Sequence, residues 1–93
     1  MTLNKKWSYE LTEKAEREFG KLDKPIQKQI IHYFDSIVKT PNPRVKGSAL
    51  KGTLRSYWRY RVGDYRILCQ FKDDILTIHI IKIAHRREVY KRT

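Results

Sequence analysis

The chain has 93 residues, 40% of them hydrophobic and 12% aromatic, with one cysteine and a formal net charge of +11. Such a chain can bury one core and is no disordered polyelectrolyte, no apolar run nears the roughly 18–20 residues that span a bilayer, and lone Cys69 excludes an intrachain disulfide and a cysteine-based zinc cluster. The charge is uneven: residues 1–38 carry seven Lys/Arg and six Asp/Glu, whereas residues 39–93 carry fourteen and four, the pattern of a scaffold bearing an anion-binding surface with nucleic acid as the first candidate partner.

In chain order, MTLNKKWSYE has no apolar h-region of a signal peptide, so a cytoplasmic protein is expected. Residues 6–11 alternate and are β-prone, which predicts a short first strand. Thr12 is a candidate N-cap with Glu13 and Glu16 in the following turn. Ala15, Phe19 and Leu22 then share one helix face over about 13–22. Asp23 and Pro25 start a second helix with the stripe Ile26, Ile30, Phe34 and Ile37, widened by Ile31 and Val38. Thr40-Pro41-Asn42-Pro43 stops it. Residues 41–54 read as a loop carrying Arg44, Lys46 and Lys51, anchored by Ala49 and Leu50.

From Arg55 to Ile83 the pattern predicts three strands joined by tight turns at Gly63-Asp64 and Asp73-Asp74. Those turns place Arg61 opposite Arg66, Arg59 opposite Leu68 and Tyr57 opposite Gln70. In the next pair they place Leu68 opposite His79, Arg66 opposite Ile81 and Gln70 opposite Thr77. One face then shows Arg55, Tyr57, Arg59, Arg61, Arg66, Gln70, Lys72, Thr77 and His79, with Leu68 and Ile81 among them. The other shows Trp58, Tyr60, Val62, Tyr65, Ile67, Cys69, Phe71, Leu76, Ile78 and Ile80, and it requires the two helices as cover. The expected fold is α+β: a short N-terminal strand, a helical hairpin and a three-stranded antiparallel meander completing a four-stranded sheet. A short C-terminal helix or tail follows, with residues 1–93 as one domain.

Arginines placed opposite each other oppose folding, which is best understood if an anion sits among them, and the guanidinium fork suits phosphate. Tyr57, His79 and Tyr90 could stack on bases. Metal-free cleavage of RNA is feasible on such a face, because the 2′-hydroxyl is a built-in nucleophile needing a base, an acid and charge stabilisation of the phosphorane. Arg59, Arg66 and Arg86 offer the charge; His79, His85, Tyr57, Tyr90 and lysines are the proton carriers. His32, His79 and His85 lack zinc-site spacing, and no Gly-rich phosphate loop is present. No metal or cofactor is therefore expected. His32 reads as a surface histidine and Cys69 as core packing.

Leu50-Lys51-Gly52, the run Tyr60-Arg61-Val62-Gly63-Asp64-Tyr65-Arg66-Ile67 and the ending His85-Arg86-Arg87-Glu88-Val89-Tyr90 resemble the RelE/ParE superfamily of toxins from bacterial toxin–antitoxin pairs. The ending looks like the RelE branch. The resemblance implies a ribosome-dependent endoribonuclease (mRNA interferase) cutting mRNA in the A site of the 30S subunit without metal. It leaves a cyclic phosphate and a free 5′-hydroxyl. By motif, the catalytic positions fall on Arg59, Arg66, Arg86 and Tyr90. Lys46, Lys51, Arg55, Tyr57, Arg61, His79, His85 and Arg87 are the expected RNA contacts. The family often has two lysines on the second strand; here Arg59 matches one and Tyr57 lies near the other, leaving Tyr90, Tyr57, Lys51 and His85 as candidate bases. The resemblance also implies a cognate antitoxin, through which the complex would bind operator DNA, and partners in mRNA and rRNA but no membrane. The alternative within the superfamily is a ParE-like poison of DNA gyrase without nuclease activity.

Overall fold

The computed structural model describes residues 6–91, with side chains through Glu88. Strand β1 is Ser8–Leu11, and helix α1, Glu13–Gly20, begins on Thr12, whose Oγ1 accepts the Ala15 N–H at 3.2 Å. The Thr12 N–H donates to the Ile80 carbonyl at 3.0 Å, so the cap also ties the helix to the sheet. Helix α2, Lys24–Ile37, has Pro25 in its first turn. Gln27 joins the two helices by donating from Nε2 to the Phe19 carbonyl at 2.9 Å, which also accepts the Leu22 N–H at 3.1 Å. Among the described residues no helix is long and apolar enough to cross a membrane.

The sheet has five strands in the order β1-β5-β4-β3-β2, with β1 parallel to β5 and every other pair antiparallel. Strands β3 (Trp58–Val62), β4 (Tyr65–Lys72) and β5 (Thr77–His85) form the expected meander. The additional strand is β2, Ser48–Ala49, which pairs with Arg59 and Trp58. It is two exposed residues without a β-branched or aromatic side chain, so nothing in its composition marks it as a strand. Ala15, Ile30, Phe34 and Ile37 of the helices bury against Tyr60, Val62, Ile67, Cys69, Ile78, Ile80 and Ile83 of the sheet. Each buried Val, Ile or Phe among them is worth about 1.5–3 kcal/mol of transfer free energy. Helix α3, Arg86–Lys91, closes the described chain.

The β3–β4 register is as expected, with Arg59 opposite Leu68 and Arg61 opposite Arg66, whereas Tyr57 lies before the strand. The β4–β5 register differs. Gln70 pairs with His79 and Lys72 with Thr77, because the connection is not a two-residue Asp73-Asp74 turn. It is a 3-10 turn over Asp73–Ile75 followed by Leu76 in the left-handed region, φ +48°. Between Leu68 and Cys69 the pairing slips again: Cys69 faces Ile80 but Leu68 faces Lys82 and Arg66 faces Ala84. Ile81 is thus the extra residue of a β-bulge. Since alternation has period two, one inserted residue exchanges the faces of everything beyond it. Ile83 turns into the core, and Lys82, not Ile81, joins the arginine face.

Candidate functional site

Two neighbouring rows cross the face of the sheet away from the helices. One runs Arg59, Leu68, Lys82 over β3, β4 and β5; the next runs Arg61, Arg66, Ala84. Between them and the approach to β3 lies an open cavity of about 360 Å³. Leu50, Leu68 and Ala84 give it an apolar floor, Arg59, Arg66 and Lys82 supply its cations, and Glu88 reaches it from α3. Among its lining residues the cations outnumber the single acid. Cations held over an apolar floor attract an oxyanion more strongly than the same charges dispersed in water.

The Gly63-Asp64 turn sets two of the arginines. Gly63 adopts φ +57°, the conformation this tight turn needs. Arg66 curls back over it, donating from Nη1 to the carbonyls of Gly63 and Tyr65, each at 3.1 Å. Its Nε is buried with no hydrogen-bond partner among the described residues. On the other side the Arg86 N–H donates to the Asp64 carbonyl at 2.7 Å, and Arg86 Nε stands 3.7 Å from Asp64 Oδ1. Asp64 therefore draws Arg86 to the turn, beside the cavity and outside its lining.

His85 is the residue on which α3 starts. Its N–H donates to Glu88 Oε1 at 3.0 Å, while its Nδ1 accepts the Arg87 N–H at 3.1 Å. This reciprocal pair is the logic of a capping box, with imidazole in place of the usual hydroxyl. The His85 ring meets Tyr65 edge-on at 5.3 Å and lines a second cavity, against α1. Tyr90 lies on α3; its side chain is outside the described residues.

The remaining expected contacts are spread out. Arg61 is exposed opposite Arg66, Arg55 and Tyr57 precede β3, and Lys46, Lys51 and Arg87 are exposed on the loop and on α3. His79 sits toward the other end of β5, its Nε2 3.6 Å from Glu10 Oε2. None of these lines the cavity. The loop's Arg44 is a structural clamp: Nη1 and Nη2 each reach a carboxylate oxygen of Asp73 at 2.9 Å, and the guanidinium lies 4.1 Å from the Phe71 ring centre. That hydrogen bonding holds the Asp73 carboxyl below its usual range.

The residue that sequence reasoning missed is Lys82. Its signal was present in Ile80-Ile81, two apolar residues in succession where Thr77-Ile78-His79-Ile80 had alternated. A break of that kind is what a bulge leaves in a sequence. Among the described residues no group of three or more His, Cys, Asp or Glu is placed to hold a metal ion. With its fork-shaped donors and one titratable amine over an apolar floor, the arrangement suits a phosphodiester and the sugar or base beside it.

Comparison with known proteins places this geometry. A family model described as "ParE toxin of type II toxin-antitoxin system, parDE" matches residues 9–90. Toxin RelG of Mycobacterium tuberculosis is 29% identical over 87 residues, which cover 92% of this chain and 98% of that protein. The toxin–antitoxin complex RelBE2 from Mycobacterium tuberculosis contains a chain that superposes with a TM-score of 0.76 at 24% identity, covering 87% of this chain and 99% of that one. The isolated E. coli RelE toxin superposes with a TM-score of 0.70 at 19% identity, over 92% of this chain and 97% of that one. These last two likenesses show a shared fold.

Proposed function

The chain belongs to the RelE/ParE family of toxins of type II toxin–antitoxin systems, and from that premise we propose that it is a ribosome-dependent endoribonuclease. Residues 1–93 act as one toxin domain, in the cytoplasm, on mRNA held in the A site of the 30S subunit. The observation that carries this reading is the cavity in which Arg59, Arg66 and Lys82 converge over Leu50, Leu68 and Ala84. Arg59 and Arg66 hold the scissile phosphate and stabilise the charge that grows on it as the 2′-oxygen attacks. Arg86, beside the cavity, and Tyr90 on α3 complete the set, and the exposed Lys46, Lys51, Arg55, Arg61 and Arg87 steer RNA and rRNA toward it. The reaction needs no resident metal, since the nucleophile belongs to the substrate. The solved E. coli RelBE and Pyrococcus horikoshii RelE–RelB complexes support a cognate antitoxin for this chain too, one that covers the basic face and links the complex to operator DNA.

Arg66→Ala and Tyr90→Phe are expected to relieve growth arrest while the proteins remain folded and antitoxin-bound. Loss of one charge-stabilising donor should slow cleavage about 10²–10³-fold. Full toxicity of both variants would show that this is not the active site. The ParE description of the matching family model favours one other reading, a gyrase poison without nuclease activity. DNA breaks and an SOS response, with mRNA intact, are its signature.

A further inference from the structure

Proton transfer in the cavity requires a group that can both take up and release a proton, and arginine hardly deprotonates. Tyr57, Lys51 and His85 are absent from the cavity lining, and His85 Nδ1 is engaged at the start of α3. Of the two proton carriers that line it among the described residues, Glu88 has one carboxylate oxygen committed to the His85 N–H. The other is Lys82. The bulge at Ile81 sets Lys82 in one row with Leu68 and Arg59. Each step between paired strands is about 5 Å, so the backbones of Arg59 and Lys82 stand roughly 10 Å apart with Leu68 between them. Two long side chains rising from those positions can meet over Leu68 on a single phosphodiester. No salt bridge among the described residues engages Lys82. Across the cavity it faces Arg59 of β3, Arg66 of β4 and Glu88 of α3; on its other side α1 presents Lys14, Glu18 and Lys21, with Tyr65 and His85 nearby.

We propose that Lys82 is the general base of the cleavage reaction, a role supplied from β5. This rests on the nuclease reading above. The neutral Nζ takes the proton of the 2′-hydroxyl and becomes an ammonium. The 2′-oxygen bonds to phosphorus as the P–O5′ bond breaks, giving a 2′,3′-cyclic phosphate. The leaving 5′-oxygen takes a proton from solvent, and Lys82 returns its own proton to solvent.

The test is single-turnover cleavage of mRNA-programmed ribosomes with a vacant A site, measured against pH for the wild type, Lys82→Arg and Lys82→Met. Complex formation is measured alongside with an mRNA whose scissile 2′-hydroxyl is replaced by hydrogen. The wild-type rate should rise with pH while the base is being deprotonated. Both variants should cleave about 10²–10⁴-fold more slowly, the range of general base catalysis, and lose that rising limb, while Lys82→Arg keeps wild-type affinity for the uncleavable complex. Cleavage by Lys82→Arg at the wild-type rate with the limb intact would overturn the role of Lys82 and leave the nuclease reading standing. A wild-type protein that cleaves at no pH would overturn both.

Discussion

Arg66 shows how much organisation one side chain on this face carries. It lies opposite Arg61, an arrangement that costs stability, and two backbone carbonyls of its own turn hold its guanidinium. Gly47 does comparable work on the packing side. A Cβ there would lie 2.5 Å from Trp58 Cδ1 and Nε1 and 2.9 Å from the Arg59 carbonyl oxygen. Trp58 itself is fixed, its Nε1 donating to the Arg44 carbonyl at 3.1 Å, and the buried Tyr60 hydroxyl donates to the Pro43 carbonyl. Gly47→Ala is therefore expected to destabilise the protein by about 1–3 kcal/mol, the range for overpacking, through displacement of β2 from β3. Chemical denaturation of the variant checks this, and unchanged stability would show that Trp58 moves aside freely. The backbone at Gly47 is ordinary, φ −119°, so the cost is steric and not conformational.

At the scale of elements, the outer edge of β5 beyond β1 needs closing. Parallel pairing ends at Leu11 with Ile80, and past that point α1 takes over: Glu18 Oε1 accepts the Ile83 N–H at 2.8 Å while its Oε2 pairs with Lys14 Nζ at 2.9 Å. A helix carboxylate thus replaces a neighbouring strand, which blunts an edge that would otherwise invite pairing. Glu18→Ala should cost about 1–3 kcal/mol, since it leaves a donor of the partly buried edge without its partner. The Ile83 amide should then exchange hydrogen much faster than in the wild type, and an unchanged exchange rate would assign the closure to packing alone. Elements governed by local rules were legible in the sequence. Thr12 as a cap, the Ile30–Phe34–Ile37 stripe and the Gly63-Asp64 hairpin each follow from a few neighbouring residues. The five-stranded count, the β4–β5 register and the place of Lys82 were not. A two-residue strand without β-formers leaves no pattern, and a left-handed Leu76 is a conformation no leucine advertises. The bulge did leave a trace in Ile80-Ile81, masked because both residues are equally apolar.

At the scale of the whole molecule, the chain divides its labour by charge. The nearly neutral first 38 residues build β1 and the two helices that cover one side of the sheet; the strongly basic remainder supplies the opposite side. Arg59 and Arg66, expected on the charged sheet face, line the cavity, whereas His79 and His85 do not. Strand alternation reports the face a side chain takes, but not its distance along the strand. Arg59, Arg61, Arg66 and Lys82 share one solvent-facing side of the sheet, where a polyanion can relieve their mutual repulsion.

Expression of the chain without its antitoxin, followed by genome-wide mapping of mRNA 5′ ends, reaches the nuclease reading most directly. New 5′-hydroxyl ends should accumulate at codon spacing within translated messages only, and Arg66→Ala should abolish them. Arrested growth with intact messages, or with DNA breaks in their place, would contradict it.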